Sequence, residues 1–151
     1  MLTLFDLIVT EAEQTQKQRQ AYPREDVLKR TLEYFNGDEL AASVWINKYA
    51  LKDSEGNIYE LSPDDMHRRM AAEIARIEQK YENAIDEEKV YQLLKDFRYL
   101  VPQGGPMAGI GNDFQKISLS NCFVIGNESD SYGGIMRTDQ EQIQLMKRRG
   151  G

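Results

Sequence analysis

Cysteine is almost missing from this chain: Cys122 is alone in 151 residues. One thiol excludes an internal disulfide framework and suits a reducing compartment, so the cytoplasm is the expected location. Histidine is equally scarce, with only His67. A single imidazole with no cysteine beside it excludes the common Cys/His zinc arrangements, and no metal ligand is assigned. No apolar run approaches the roughly 20 residues that cross a bilayer, so no membrane partner is expected. The opening "MLTLFDLIVT" contains Asp6, lacks a basic lead and ends without a small-residue cleavage site; it does not read as a signal peptide. Cations are outnumbered, 19 Lys and Arg against 25 Asp and Glu, for a net charge of −6. That balance argues against a general binder of DNA or other phosphate backbones. With 40% hydrophobic and 29% charged residues, the rest suits one soluble domain able to bury a modest core.

The first half is patterned for helices. After Pro23, the residues Val27, Leu28, Leu32 and Phe35 recur at helical spacing and Gly37 ends the run. Asp38 caps a second helix whose Leu40, Val44 and Trp45 share a face. Gly56-Asn57 between short apolar arms predicts a hairpin or an irregular excursion. The strongest helix signal is "SPDDMHRRMAAEIARIEQKY". Ser62 is its N-cap, Pro63 its first residue, Asp64 and Asp65 suit the positive end of the dipole, and Met66, Met70, Ile74, Ile77 and Tyr81 form the apolar stripe. A further helix follows Asp86, with Val90, Leu93, Leu94 and Phe97 inward.

Near residue 99 the texture changes. Gly104, Gly105, Gly109 and Gly111, with Pro102 and Pro106, are too many for a helix interior. From Ile117 the pattern alternates as in a strand, with Ser118, Ser120, Cys122 and Val124 on one face. The last helix is expected to start at Thr138, where "TDQE" has capping-box spacing, and to end in "KRRGG". A lone strand leaves both edges unpaired, so the C-terminal third looks unfinished.

Several features have a plain reading beside a functional one. A strand cysteine is more often inert filler than a reactive thiol, although serine neighbours on the same face argue against a greasy pocket. His67, between Met66 and Arg68, reads as an edge residue. "GGPMAGIG" lacks the Gly-Lys-Ser/Thr ending of a phosphate loop. "NESDSYGGI" is a polar turn by default, yet Asp130 and Ser131 supply an acceptor and a donor suited to a sugar hydroxyl. The tail "MKRRGG" is either a solvated helix end or an anion site.

"VPQGGPMAGIGNDFQKISLSNCFVIGNESDSYGGIMRTDQEQIQLMKRRGG" resembles the start of the catalytic barrel in the large subunit of ribonucleotide reductases. The upstream "LAASVWINKYALKDSEGNIYELSPDDMHRRMAAEIARIEQKY" is similar to the helical domain before that barrel. The order "LSNCF", "DSYGGI", then a helix ending "KRRGG", is the most specific part.

The resemblance implies a mainly α chain with a few strands: an N-terminal extension over 1–22, a helical domain over 23–98, and over 99–151 the opening strand and first helix of an incomplete ten-stranded α/β barrel. It implies that Cys122 is one of two cysteines that deliver two electrons as they close into a disulfide. Gln103, Asn121 and Gly151 match substrate-binding positions, although many relatives carry serine where Asn121 stands and a hydroxyl or small residue where Gln103 stands. Asp130, Ser131 and Tyr132 match the loop that binds the deoxynucleotide effector.

The partner cysteine, the radical cysteine and the residues assisting dehydration belong to later family segments. The chain is therefore expected to be inactive alone and to need a complementary C-terminal chain, with a ribonucleotide substrate, dNTP or ATP effectors, a dimeric catalytic subunit and a thioredoxin- or glutaredoxin-type reductant. No cofactor is expected on this segment; the whole enzyme would use adenosylcobalamin or a metal-containing radical-generating subunit. No ATP-binding cone is expected before the helical domain. The alternative is a non-catalytic nucleotide-binding or interaction module derived from that subunit.

Overall fold

Short polar caps set four of the six α-helix starts among the described residues. The computed structural model describes residues 19–127 and 129–151; the expectations for the opening apolar stretch and most of the N-terminal extension lie outside the described residues. Helix α1 is Arg24–Tyr34, with the Pro23 carbonyl accepting from the Asp26 and Val27 amides. It ends as expected at Gly37, whose amide reaches back to the Leu32 carbonyl at 2.8 Å while Asn36 and Gly37 take positive φ. Helix α2 is Glu39–Lys48, and Asp38 caps it by accepting from the Ala41 amide. Helix α3 is Pro63–Glu78; Asp65 reaches back to the Ser62 amide in a capping box. Asp86 caps helix α4, Glu87–Leu94.

These helices close around Val27, Trp45, Ile46, Ala50, Ile58, Met66, Met70, Ala71, Val90, Tyr91 and Leu94. The inward faces differ from the expected stripes. On α2 they are Ala42, Trp45 and Ile46, while Leu40 is exposed. On α3 the stripe ends early: Ile77 is on the rim, and Tyr81, past the helix end, is exposed. On α4 Tyr91 replaces Leu93 on the inner side, its hydroxyl 2.5 Å from Asp64 and the Arg68 guanidinium over its ring. Burial and the Asp64 carboxylate push the Tyr91 hydroxyl up to about 12.

His67 is not an edge residue. It is fully buried, packed edge-on against Phe97 at 4.5 Å, and neither ring nitrogen has a hydrogen-bond partner among the described residues. Phe97 reaches it because the 3-10 turn Lys95–Phe97 holds Asp96 and Phe97 at positive φ. Burial pushes the imidazole below its ordinary value, with Asp64 and Asp96 pulling the other way. A depressed native value means that the unfolded chain binds the proton first. This stability contribution is therefore complete above the unfolded value of about 6.5 and is lost as pH falls through the lower native one. Urea unfolding of His67→Leu between about pH 4 and 7 is expected to lack this one-proton slope; an unchanged pH profile would exclude it.

The glycine-rich segment corrects another expectation: Gly104–Gly109 is a short helix, α5, with the Met107 amide on the Gln103 carbonyl and the Ile110 amide on the Pro106 carbonyl. Glycine is unfavourable in a helix, but here it permits close contact. A Cβ on Gly105 would stand 2.7 Å from the Leu119 carbonyl oxygen and 2.6 Å from Asn121 Oδ1.

The strand expected from Ile117 is not formed among the described residues; 117–127 carries no ladder and bends at Leu119, because a strand requires a paired neighbour. The Gly56-Asn57 excursion likewise makes only isolated antiparallel bridges, Lys52 with Ile58 and Tyr22 with Ile58. Helix α6, Tyr132–Met146, begins a turn and a half before Thr138, because Ser131 accepts from the Gly134 amide and caps it first. Thr138 instead donates to the Gly134 carbonyl inside the helix. The described residues are thus mainly helical: six α-helices and no strand.

Candidate functional site

Along 117–125 Ile117, Asn121 and Ile125 are half-buried, while Leu119, Phe123 and Cys122 are exposed and the Cys122 thiol is free. The segment touches α5 and the residues after α6. Leu119 packs toward Gly109, and the Phe123 ring lies against buried Gly150 so tightly that a Cβ there would stand 2.6 Å from the ring.

Residues 148–151 clasp this segment. The Ser118 amide donates to the Arg148 carbonyl at 2.9 Å, the Gly151 amide to the Asn121 carbonyl at 2.8 Å and the Phe123 amide to the Gly151 carbonyl at 2.8 Å. Gly151 is therefore bonded to the residues on both sides of Cys122, the pattern of one rung in a parallel ladder.

Asn121 Nδ2 donates to Gln103 Oε1 at 3.3 Å. Four expected site residues, Gln103, Asn121, Cys122 and Gly151, are thus in one place although 48 positions separate the first from the last. Beside them opens a cleft of about 300 Å³ lined by Asn47, Lys48, Tyr49, Gly104, Gly105, Asn121 and Arg149. Sequence reasoning missed Lys48 and Tyr49, which come from the end of α2. For Arg149 the signal was "KRRGG", read only as a helix end or an anion site.

A second cleft of about 300 Å³ lies at the start of α6, between Ser129, Ser131, Gly134, Arg137, Thr138 and Glu141. The Ser129 and Ser131 hydroxyls are 2.9 Å apart within it. Of the three residues expected to bind the effector, Ser131 lines this cleft; Asp130 and Tyr132 are exposed outside its lining.

A larger cleft, about 420 Å³, lies on another side of the helical part, over Tyr22, Tyr59, Glu60 and Arg69. Its floor is a buried ion pair, Arg69 Nε to Glu60 Oε1 at 2.7 Å. Glu60 also accepts the Leu51 amide, and the Arg69 guanidinium donates to the Met107 and Ile110 carbonyls, fastening α5 to α3. Burial pushes the Glu60 carboxyl above the usual carboxylate range while Arg69 pulls it back. These donors are already committed, so the ion pair reads as structural support for the Cys122 region.

Among the described residues no group of three or more His, Cys, Asp or Glu side chains is gathered to hold a metal ion, and no helix is long and apolar enough to cross a membrane. Neither the curated proteins nor the solved structures contain a match to the chain. Residues 35–109 match the family model of the ribonucleotide reductase all-alpha domain, a span running from the end of α1 through α5. Through this domain the chain belongs to the ribonucleotide reductase large subunits, as an amino-terminal portion.

Proposed function

We propose that this chain contributes one redox-active thiol and part of two nucleotide sites to ribonucleotide reduction, and that it turns over only with a complementary chain. The overall change balances as one ribonucleotide and two thiols giving a deoxyribonucleotide, water and a disulfide. The 2′-hydroxyl leaves as water, a C–H bond replaces the C–O bond, and the two sulfurs supply the electron pair. Cys122 is one of these thiols. Its mate is on the complementary chain, with Cα atoms no more than about 7 Å apart when the bond forms. A thioredoxin- or glutaredoxin-type dithiol then restores both by exchange.

In this reading Gln103 and Asn121 contact the substrate, and Gly151 offers it a backbone amide by exchanging the bond that this amide makes to the Asn121 carbonyl. Asp130, Ser131 and Tyr132 take the deoxynucleotide effector. Residues 23–98 form the helical domain and 99–151 the start of the barrel. The carrying observation is the gathering of Gln103, Asn121 and Gly151 around an exposed Cys122. The single parallel rung at Gly151 supports the barrel assignment, since segment 117–125, α6 and Gly151 follow the order of a strand–helix–strand crossover. Radical chemistry would come from adenosylcobalamin or a metal-containing second subunit; no residue here is assigned to it.

The test is reconstitution: this chain mixed with a polypeptide carrying the remaining barrel strands, assayed for deoxynucleotide formation with a dithiol reductant. Turnover is expected in the mixture and in neither component alone. Association without turnover would favour a non-catalytic interaction module.

A further inference from the structure

Arg149 stands where two parts of the fold meet. Its backbone is in the left-handed region at φ 63°, a conformation seldom taken by a side-chain-bearing residue, and it directly precedes the two glycines that clasp the Cys122 segment. Its guanidinium turns the other way and donates to the Lys48 carbonyl at the end of α2, 3.2 Å away and 101 positions back in sequence. Arg148 beside it stays local, reaching the Lys116 carbonyl. Within residues 147–151, then, Arg149 makes the link to the helical part.

The bond is placed where a cation is favoured, because the last carbonyls of a helix lack intrahelical partners and carry the negative end of its dipole. Lys52 Nζ takes the neighbouring Asn47 carbonyl at 3.1 Å and Arg24 the Asn47 side chain at 3.0 Å. The end of α2 thus collects three cations. Gly150 and Gly151 follow Arg149 directly in the chain, and they contact Phe123 and Asn121 on either side of Cys122.

We propose that Arg149 is a positioning residue for Cys122, anchoring to the end of α2 the clasp that fixes the thiol's segment. Its importance for reduction rests on the function proposed above; the anchoring does not. Amide hydrogen exchange on this chain alone tests it. In Arg149→Ala the Phe123 amide is expected to exchange about fivefold faster, the effect of losing one charge-assisted hydrogen bond at a partly exposed site, with Met70 and Ala71 unchanged. Arg149→Lys keeps a cationic donor and is expected to recover at least part of that protection. Wild-type exchange at Phe123 in Arg149→Ala, an equal acceleration at Met70 and Ala71, or no recovery with lysine would each overturn the proposal. A reductase that fails to reconstitute would count against the proposed function and leave the anchoring intact.

Discussion

Arg69→Ala is expected to destabilise the chain by about 3–5 kcal/mol, the usual cost of removing one partner from a buried ion pair. The side chains of Arg69 and Glu60 are only 9% and 4% exposed. Truncation would strand the Glu60 carboxylate without its cation and would take donors from the Met107 and Ile110 carbonyls together. Burial already pushes the Glu60 carboxyl up; without Arg69 it rises further. A raised native value means stability present at low pH and lost as pH rises through that value, so the deficit should be larger at neutral than at acid pH. Urea unfolding at both pH values reads this directly. The double variant Glu60→Gln/Arg69→Met should recover part of the loss, because no unpaired charge remains. A deficit under about 1 kcal/mol in Arg69→Ala would contradict the buried-pair account. Loss of Arg69 also releases α5, so the contact of Gly105 with Leu119 and Asn121 should loosen with it.

Cys122→Ser is expected to lower dithiol-dependent turnover of the reconstituted enzyme by about three orders of magnitude or more, as removal of an essential reacting group does. Serine keeps the size and polarity of the side chain, but its oxygen cannot form the S–S bond that releases the electron pair. Because Cys122 is exposed, the same substitution should change folding stability by no more than about 0.5 kcal/mol. Lost turnover with retained stability is the expected signature. Undiminished dithiol-dependent turnover would remove Cys122 from the chemistry.

Local chemistry was the legible part of this fold. Asp38, Ser62 and Asp86 act as caps where the sequence places them, because a cap is a contract between residues three apart, whereas the capping box that Asp65 closes on Ser62 was read only as an acid suited to the dipole. The same locality misled at Thr138: "TDQE" has capping-box spacing, but Ser131 had already started the helix. Faces were harder to read. Leu40, Ile77 and Leu93 fit helical stripes yet lie at the surface, while His67 lies inside. Spacing describes one helix, whereas burial depends on which neighbour approaches it and from which side.

The candidate site divides in the same way. Cys122, its serine neighbours and the order of motifs around them could be read along the chain, as could the family, which the all-alpha match over 35–109 bears out. That Asn121 meets Gln103, that Gly151 pairs on both sides of Cys122, and that Lys48, Tyr49 and Arg149 wall the adjoining cleft are matters of packing. Helix caps and apolar spacing act over one or two turns, so linear order records them. Contacts between residues 18, 30 or 101 positions apart exist only once α3 has fastened α5 and the end of α6 has closed on its partner.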